Sequence, residues 1–421
     1  MEEKEESIAQ MPAGGLFQLT DSRSTEQQDH DAVTDACTDV VAAKEALTMG
    51  LEEMGCRGGT LDMDSMQMWL RTHGWCFLCN LNLRGSLSVQ LCSMTFLRSL
   101  DLSHNLLTAL PDAIGRLTSL IDLNVNSNCL KRLPDAIGRL TSLKRLVLCY
   151  NPLTALPDAI GCLTSLIELN LNGNQLTALP DAIGRLTSLQ RLELCFNHLT
   201  ALPDAICRLT SLTYINLHLT WIDRLPDAIG RLTSLARLDL SRTQDISLTE
   251  DNLGRLTSLE SLDLSGNRLV SSKRPFVHWK DYRAVLPHCI ERLTSLTQLD
   301  LGNNELTFLP DIFGRLTSLM FLDLSRNQLT DLPDTMGCLT SLECLDLVDN
   351  QFTTLPDTIG RLAGLKRIYL GRNKFTVLPN VIAQLTSLEI LELRTNPFNR
   401  KQIRRVKAIQ QRCFPRCDLV L

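Results

Sequence analysis

The sequence predicts an α/β solenoid, in which stacked repeats share one parallel sheet, and two observations support this prediction. The eleven residues LPDAIGRLTSL occur four times without change, beginning at Leu110, Leu133, Leu179 and Leu225. A second pattern, LxxLxLxxNxL, returns every 23 residues. A fixed period of this length indicates units that cannot bury their apolar faces alone and therefore stack on their neighbours.

Thirteen copies of LxxLxLxxNxL follow one another, after a truncated copy at Leu78. Most steps are 23 residues long, but one step is one residue longer and the next is fourteen residues longer. The longer step places an insertion at 270–286 within a solenoid predicted over 78–398. The copies begin at Leu97, Leu120, Leu143, Leu166, Leu189, Leu212, Leu235, Leu259, Leu296, Leu319, Leu342, Leu365 and Leu388.

Each copy of LxxLxLxxNxL predicts a short strand followed by a turn. Leu100 and Leu102 alternate with polar residues, so the leucines point inward and the polar side chains outward. Strands of successive repeats then pair in parallel and form the concave face. Asn105 follows the strand, and a buried amide there satisfies backbone groups of the turn. Equivalent asparagines are Asn128, Asn151, Asn174 and Asn197.

The LPDAIGRL segment predicts the opposite, convex side of each repeat. Pro111 is preset for the first turn of a short helix or 3₁₀ turn, with Ile114 and Leu117 facing the core. Asp112 and Arg116 stand four residues apart, as in an exposed helical ion pair.

These motifs resemble the leucine-rich repeat family, in LRSLDLSHNLL from Leu97 and LIELNLNGNQL from Leu166. The LPxxIGxL half is similar to the intracellular Ras-group subclass, whose repeat is also 23 residues long. The resemblance implies a horseshoe with a parallel concave sheet and short helical or 3₁₀ convex segments. It also implies a scaffold for protein–protein interaction in intracellular signalling, with a small GTPase or another signalling protein as partner.

Composition favours a protein of the cytoplasm without a membrane span. The chain has 421 residues, is 44% hydrophobic but only 5% aromatic, and contains no run of eighteen apolar residues. Its first residues, MEEKEESIAQMPAGG, lack the regions of a signal peptide. Fifteen cysteines are scattered over unrelated repeat positions, and no Asn-x-Ser/Thr sequon occurs, so a reducing compartment is predicted.

The two ends of the chain carry opposite charge. Residues 1–53 hold thirteen acids and three bases, whereas residues 394–416 hold eight bases and no acid. We expect a disordered acidic N-terminus over 1–30, a helical N-terminal cap over 31–77 and a basic helical cap over 399–421. The basic faces are either solvated or bind an anionic membrane or nucleic acid, and attraction between the two ends is equally allowed.

No motif for catalysis or for a cofactor is present. The sequence lacks a GxxxxGK[ST] loop, an HExxH pair and a GxSxG elbow. His73, Cys76, Cys79 and Cys92 contain one CxxC pair, which is poor evidence for zinc because four ligands must converge. We therefore predict a protein that is not an enzyme and binds neither cofactor nor metal. Nucleic acid is a disfavoured partner, because no aromatic residue interleaves the terminal charges.

The variable residues lie on the strands, while the convex segments are nearly constant, so the concave face is the predicted binding surface. Aromatic and arginine side chains, which dominate interface hot spots, cluster in the third to seventh repeats. An alternative is that the rings fill core gaps, above all the tryptophan that follows Thr220. A row of aspartates in later repeats is interpreted as structural. The predicted partner-binding residues are Arg145, Tyr150, Arg191, Phe196, Tyr214, Trp221 and Arg237.

The insertion is the second predicted binding element. Phe276, Trp279 and Tyr282 recur at three-residue spacing among basic residues. Long loops within regular arrays often bind ligands, although a flexible insert without function fits the same pattern.

Overall fold

Each repeat contributes one short strand to a continuous parallel sheet. The computed structural model describes residues 74–243, 246–248, 252–267 and 288–421. Within those ranges one sheet has 15 strands in the order β1, β3 and then β5 to β17, while β2 and β4 pair separately. The strands are β1 Trp75–Phe77, β2 Arg84–Ser86, β3 Ser99–Asp101, β4 Leu106–Ala109, β5 Asp122–Asn124, β6 Arg145–Val147, β7 Glu168–Asn170, β8 Arg191–Glu193, β9 Tyr214–Asn216, β10 Arg237–Asp239, β11 Ser261–Asp263, β12 Gln298–Asp300, β13 Phe321–Asp323, β14 Cys344–Asp346, β15 Arg367–Tyr369, β16 Ile390–Glu392 and β17 Asp418–Val420.

The convex side of the repeats consists of 3₁₀ helices. The sheet and these helices confirm the predicted α/β solenoid, with a parallel sheet on one side and 3₁₀ segments on the other. The 3₁₀ helices are Leu91–Ser93, Asp112–Arg116, Asp135–Arg139, Asp158–Cys162, Asp181–Arg185, Asp204–Arg208, Asp227–Arg231, Leu253–Arg255, His288–Arg292, Asp311–Arg315, Asp334–Cys338, Asp357–Arg361 and Asn380–Gln384.

The predicted ion pairs of the convex segments do not form. Among the described residues, no salt bridge joins Asp112 to Arg116 or the equivalent residues of the six further repeats in which both recur. Residues four apart lie on one face of an α-helix, but a 3₁₀ helix has three residues per turn and rotates the fourth away. The glycine of DAIG instead allows close packing: a Cβ at Gly138 would lie 2.6 Å from the carbonyl oxygen of Ala159 in the next repeat.

A ladder of buried asparagines joins the repeats, as the sequence predicted. Asn174 Oδ1 accepts the backbone N–H of Leu153 at 3.2 Å. Its Nδ2 donates to the carbonyl oxygens of Leu148 at 3.1 Å and Leu171 at 2.9 Å. Each such amide therefore satisfies backbone groups in its own repeat and in the repeat before it.

The residue before each ladder position adopts a left-handed backbone conformation. Its φ lies between +51° and +67° in all thirteen repeats. Glycine takes this conformation without cost, yet it occupies the position in two repeats only, at Gly173 and Gly266. The remaining repeats place a side chain here, at the C-terminal end of the strand.

The N-terminal boundary of the solenoid needs correction. The cap predicted over 31–77 ends in a strand, because Trp75–Phe77 pairs in parallel with Ser99–Asp101. Cys76 is buried between the exposed Trp75 and Phe77, which is the alternation of a strand. Residues 1–73, including the acidic segment 1–30, lie outside the described residues.

The C-terminal region contains a helix followed by a strand. Helix α1 spans Arg400–Cys413, and the side chain of Asn399 caps it by accepting the N–H of Gln402 at 3.0 Å. Val406 is the side chain that α1 buries completely. Beyond α1, β17 pairs with β16, so the region predicted as a helical cap over 399–421 also adds a final strand to the sheet.

The sheet continues without interruption past the insertion. Strands β11 and β12 pair in register although Ser261 and Gln298 are 37 residues apart. The predicted insertion 270–286, with Phe276, Trp279 and Tyr282, lies outside the described residues.

Candidate partner-binding surface

Four of the predicted binding residues form one row on the concave face, called here the strand row. Arg145, Arg191, Tyr214 and Arg237 each open a strand, and Tyr214 lies in register between Arg191 and Arg237. The guanidinium carbon of Arg191 stands 4.1 Å from the centre of the Tyr214 ring, a cation–π contact. The structure therefore brings three of these residues into contact distance or direct register.

Acidic neighbours fix two of the three arginines of the strand row, Arg145 and Arg191. Arg145 forms salt bridges with Glu168 at 3.2 Å and with Asp122 at 3.6 Å. Arg191 pairs with the buried carboxylate of Glu193. Both arginine side chains remain nearly half exposed, so they are oriented by these pairs and still present donors to a partner.

Sequence reasoning missed the role of Glu193. Its carboxylate accepts hydrogen bonds from Asn172 at 3.1 Å and Asn216 at 3.2 Å, in addition to Arg191. Because the carboxylate is buried, these polar partners compensate the free-energy cost of removing its charge from water. The sequence did contain a signal for this role: Glu193 occupies a strand position at which the neighbouring repeats carry Asn170 and Asn216.

The other predicted aromatic residues lie at the ends of the strands, on a surface called here the turn rim. Tyr150 and Phe196 occupy the left-handed position and are 61% and 52% exposed. The Tyr150 ring covers Gly173, where an added Cβ would approach the ring to 2.7 Å. The left-handed conformation is shared by every repeat, so what distinguishes Tyr150 and Phe196 is the large exposed ring at this position.

Two histidines complete the turn rim, and the sequence analysis did not include them. Trp221 is 53% exposed and stacks on His198, with ring centres 4.8 Å apart. Phe196 meets His218 edge to face at 5.5 Å. The alternative that these rings fill the core is therefore wrong for Tyr150, Phe196 and Trp221. The signal for His198 was its repeat position, which is the same as that of Trp221 one repeat later.

The turn rim and the strand row follow the same stretch of sheet, from β6 to β10, but are separate rows. At about 4.8 Å per strand, the four steps span roughly 19 Å. A partner of ordinary size can contact both rows at once.

The aspartate row lies on the following strands. Asp239, Asp263, Asp300, Asp323 and Asp346 are lateral neighbours on β10 to β14. Each carboxylate accepts the backbone N–H two residues ahead, at 2.7–2.9 Å. Burial, followed by the neighbouring carboxylates, raises the pKa of Asp300 to about 7 and that of Asp346 to about 6, although backbone hydrogen bonds lower both values.

An open groove of about 340 Å³ lies beside the aspartate row. Phe321 opens the strand that Asp323 ends, so the two side chains are neighbours on the same face. Glu343 at the groove is paired with Lys366 at 2.9 Å. The groove is lined by Thr297, Gln298, Met320, Phe321, Glu343 and Arg367.

Cys76 and Cys92, near the N-terminal end of the sheet, are core residues, whereas Cys79 is partly buried. Burial raises the pKa of the Cys76 thiol to about 12 and that of the Cys92 thiol to about 11, so neither is disposed to become a thiolate ligand. In the parts of the chain that the structure describes, no three His, Cys, Asp or Glu side chains are placed to hold a metal. His73 lies outside these residues.

Comparison with known proteins identifies the family. The model of a leucine-rich repeat region matches residues 78–174, 168–279 and 321–411, and a second leucine-rich repeat model matches 283–329. The chain belongs to the leucine-rich repeat family. Proteins of this family generally mediate protein–protein interaction and typically serve as binding scaffolds without catalysis.

Solved structures show the same fold. A leucine-rich repeat protein of Leptospira interrogans is 34% identical, with a TM-score of 0.74, over 82% of this chain and 83% of the other. An internalin of Listeria monocytogenes is 20% identical, with a TM-score of 0.66, over 85% and 95%. The Drosophila Toll–Spätzle complex matches at 23% identity and a TM-score of 0.61, over 74% and 42%.

Two further results complete the comparison. The search of curated proteins found no match to this sequence. Within the described residues, no helix has the length and apolar character needed to cross a membrane.

Proposed function

We propose that this leucine-rich repeat protein is a non-enzymatic scaffold that binds a partner protein on its concave side, through the turn rim and the strand row. The observation that carries this proposal is the exposure of Tyr150, Phe196 and Trp221, each more than half accessible. Rings exposed to this extent contribute little to the stability of the solenoid, and those of Tyr150 and Phe196 also stand on a left-handed backbone. Large aromatic side chains are, however, the strongest hot-spot residues at protein interfaces.

The two rows have different roles in this proposal. Tyr150, Phe196 and Trp221 are the apolar anchors that a partner covers. In the strand row, Arg145, Arg191, Tyr214 and Arg237 supply directed hydrogen-bond donors and a cation–π pair, which fix the orientation of the partner.

The partner class follows from resemblance within the family. The repeat LPxxIGxLxxLxxLxLxxNxL is similar to that of the intracellular Ras-group proteins. We infer a role in intracellular signalling, in the cytoplasm, with a small GTPase or another signalling protein as partner and without a cofactor. The predicted insertion residues Phe276, Trp279 and Tyr282 remain a second proposed contact for that partner.

Affinity capture from the native cell with the full chain as bait tests this proposal. The variant Tyr150→Ala/Phe196→Ala is expected to lose the partner that the wild type recovers, because both anchors are removed. The control Phe308→Ala/Val377→Ala removes two exposed apolar side chains outside both rows and should recover the partner as well as the wild type does. Undiminished recovery with the Tyr150/Phe196 variant would show that the turn rim is not the binding surface.

A second candidate function rests on helix α1. Its bases are exposed, the helix contains no acid, and among the described residues none of the bases forms a salt bridge. An anionic membrane or nucleic acid fits such a surface. Binding to anionic vesicles or to duplex DNA should then fall steeply with salt and with Arg404→Ala/Arg405→Ala, whereas salt-insensitive or unchanged binding would dismiss this function. The bases of α1 are Arg400, Lys401, Arg404, Arg405, Lys407 and Arg412.

A further inference from the structure

The aspartate row has a structural role that does not require its charge. Each aspartate accepts the backbone N–H two residues ahead, as Asp323 does from Ser325 at 2.7 Å. Asparagine makes the same hydrogen bond at the same position in other repeats of this chain. The amide oxygens of Asn124, Asn170 and Asn216 accept the equivalent N–H at 3.1, 3.1 and 2.9 Å.

Five consecutive carboxylates are therefore an electrostatic cost that the turn does not impose. The parallel register places each aspartate directly beside the next, from β10 to β14. Burial is the largest cause of the raised pKa values of Asp263, Asp300 and Asp346, and neighbouring carboxylates add to it. Asparagine at these positions would remove both costs and keep the hydrogen bond.

The groove beside the row adds an apolar surface to this negative charge. Phe321 and Met320 contribute its apolar side chains, and Met320 is 44% exposed. Phe321 and Asp323 project from the same face of one strand, two residues apart. An extended peptide on this sheet therefore meets an apolar line beside an acidic one.

The positive groups near the row do not neutralise it. Arg237 opens β10 and Arg367 opens β15, the strand after the row, while the exposed Arg242 and Arg326 occupy the left-handed position after β10 and β13. Among the described residues, no salt bridge joins any of the five aspartates to a base. The central carboxylates, Asp263, Asp300 and Asp323, thus face the concave side with carboxylates as their lateral neighbours.

We propose that the β10 to β14 part of the concave sheet is a second subsite, which binds an extended cationic segment of the partner protein. Lysine or arginine side chains of that segment lie along the aspartate row, and its apolar side chains lie on Phe321 and Met320. The inference rests on the proposed function in one respect: the ligand is a partner protein on the concave side. The subsite uses no residue of the turn rim or the strand row. The two surfaces share only strand β10, where Arg237 belongs to the strand row and Asp239 to the aspartate row. The two proposals can therefore fail independently.

Binding of a defined peptide tests this subsite in the full chain. The probe is a fluorescein-labelled octapeptide of alternating lysine and leucine. Its binding is measured by fluorescence anisotropy at neutral pH and low salt. The variant Asp300→Asn/Asp323→Asn/Asp346→Asn should weaken binding by about tenfold or more, since it removes three charges but keeps the turn hydrogen bonds. Phe321→Ala, which removes only the apolar contact, should weaken binding by about threefold to tenfold.

A matched control separates the subsite from net charge. Asp112→Asn/Asp135→Asn/Asp181→Asn removes three exposed carboxylates from the convex side and should leave binding unchanged. Equal losses in the convex and concave variants would overturn the subsite, as would equal binding of a glutamate–leucine octapeptide. A third outcome would also overturn it. If millimolar Ca²⁺ displaced the peptide from the wild type but not from the concave variant, the aspartate row would be a site for a metal cation.

Discussion

Bulky side chains at the turn rim occupy a backbone conformation that favours glycine. Phe196 has a φ of +54°, and the Phe196 ring contacts His218 rather than the core. The conformation is imposed by the repeat, because every repeat adopts it whatever its residue. The repeat therefore accounts for the conformation but not for the aromatic ring, which the proposed partner contact would explain.

We predict that Phe196→Gly is more stable than Phe196→Ala by about 1 kcal/mol, because only glycine is free of the left-handed penalty. Both variants lack the ring, so the comparison isolates the Cβ. Urea unfolding measures the difference in the free energy of unfolding. At an ordinary helix or strand position alanine would be the more stable of the two, and that order here would contradict the strained conformation.

The raised pKa of Asp300 predicts a pH-dependent stability. Its ordinary pKa is 3.8, and in the folded chain it rises to about 7, chiefly through burial and then through Asp323 and Asp263. The folded state therefore favours the protonated carboxyl. Its stabilising contribution is complete below about pH 4 and is lost as the pH rises to about 7.

Asp300→Asn should accordingly raise the free energy of unfolding above pH 7 by about 1–2 kcal/mol, allowing for partial exposure, and change it little at pH 4. Thermal unfolding at the two pH values measures this. Asp101→Asn in β3, whose lateral neighbour is Asn124, serves as the comparison. A gain of equal size at both pH values would show that ionisation of Asp300 does not carry the effect.

At the scale of the element, the asparagine ladder is interrupted in two successive repeats, at Thr220 and Thr243. Thr220 replaces the ladder asparagine, and its hydroxyl donates to the carbonyl oxygen of Leu217 at 2.7 Å. That bond lies within its own repeat. Thr243 replaces the asparagine in the next repeat, and its hydroxyl likewise donates to the carbonyl oxygen of Leu240 at 2.9 Å. In the eleven repeats that keep the asparagine, the amide also reaches back to the preceding repeat, as Asn197 does to Leu171 at 2.9 Å.

We predict that Thr220→Asn stabilises the chain by about 1–2 kcal/mol, since it restores an inter-repeat acceptor and donor in a buried site. The free energy of unfolding in urea is the measurement. Asn174→Ala is the reciprocal change and should destabilise the chain, because it leaves the N–H of Leu153 without its acceptor. A destabilising Thr220→Asn would indicate that this turn has diverged too far to accept the amide.

The sequence predicted the elements that depend on periodicity. The leucine spacing gives the strands, their parallel register and the ladder, because a period of 23 residues repeats one local environment. The 3₁₀ character of the convex segments was left open, and the ion pairs expected from helical spacing are absent among the described residues for that reason. Strand β17 follows α1 without a repeat motif, so its pairing depends on tertiary contact alone.

The candidate binding surface was predictable only in part, because it depends on contacts between repeats. Periodicity places Tyr150 and Phe196 at the strand ends, but it does not state whether a ring turns inward or outward. The stacking of His198 on Trp221, the pairing of Arg191 with Glu193 and the groove at Phe321 arise between repeats. Such contacts depend on side-chain orientation, which one sequence does not specify.

At the scale of the whole molecule, stability is carried from neighbour to neighbour. Each interior strand of the main sheet pairs with the strands on its two sides, and each 3₁₀ helix packs on those of adjacent repeats. Damage at one end is therefore expected to remain local. Helix α1 covers the last repeat through Val406, which is completely buried.

We predict that Val406→Asp exposes the C-terminal repeats while the rest of the array stays folded, because a buried unpaired charge dislodges α1. Hydrogen exchange should accelerate in β15 to β17 and remain slow in β5 to β8. Arg404→Ala, on the exposed face of the same helix, is the control and should leave both regions protected. A uniform acceleration along the chain would instead reveal a fully cooperative array.

The in-register pairing of β11 with β12 has a consequence for how this protein can change in length. Because Leu262 and Leu299 meet as ordinary neighbours, the sheet is indifferent to the number of residues between them. Between β11 and β12 we therefore expect that sequence can be lost, gained or exchanged without shifting the register of the described strands. A variant shortened there to the standard 23-residue step keeps the same sheet, and a foreign peptide inserted there would be displayed by it.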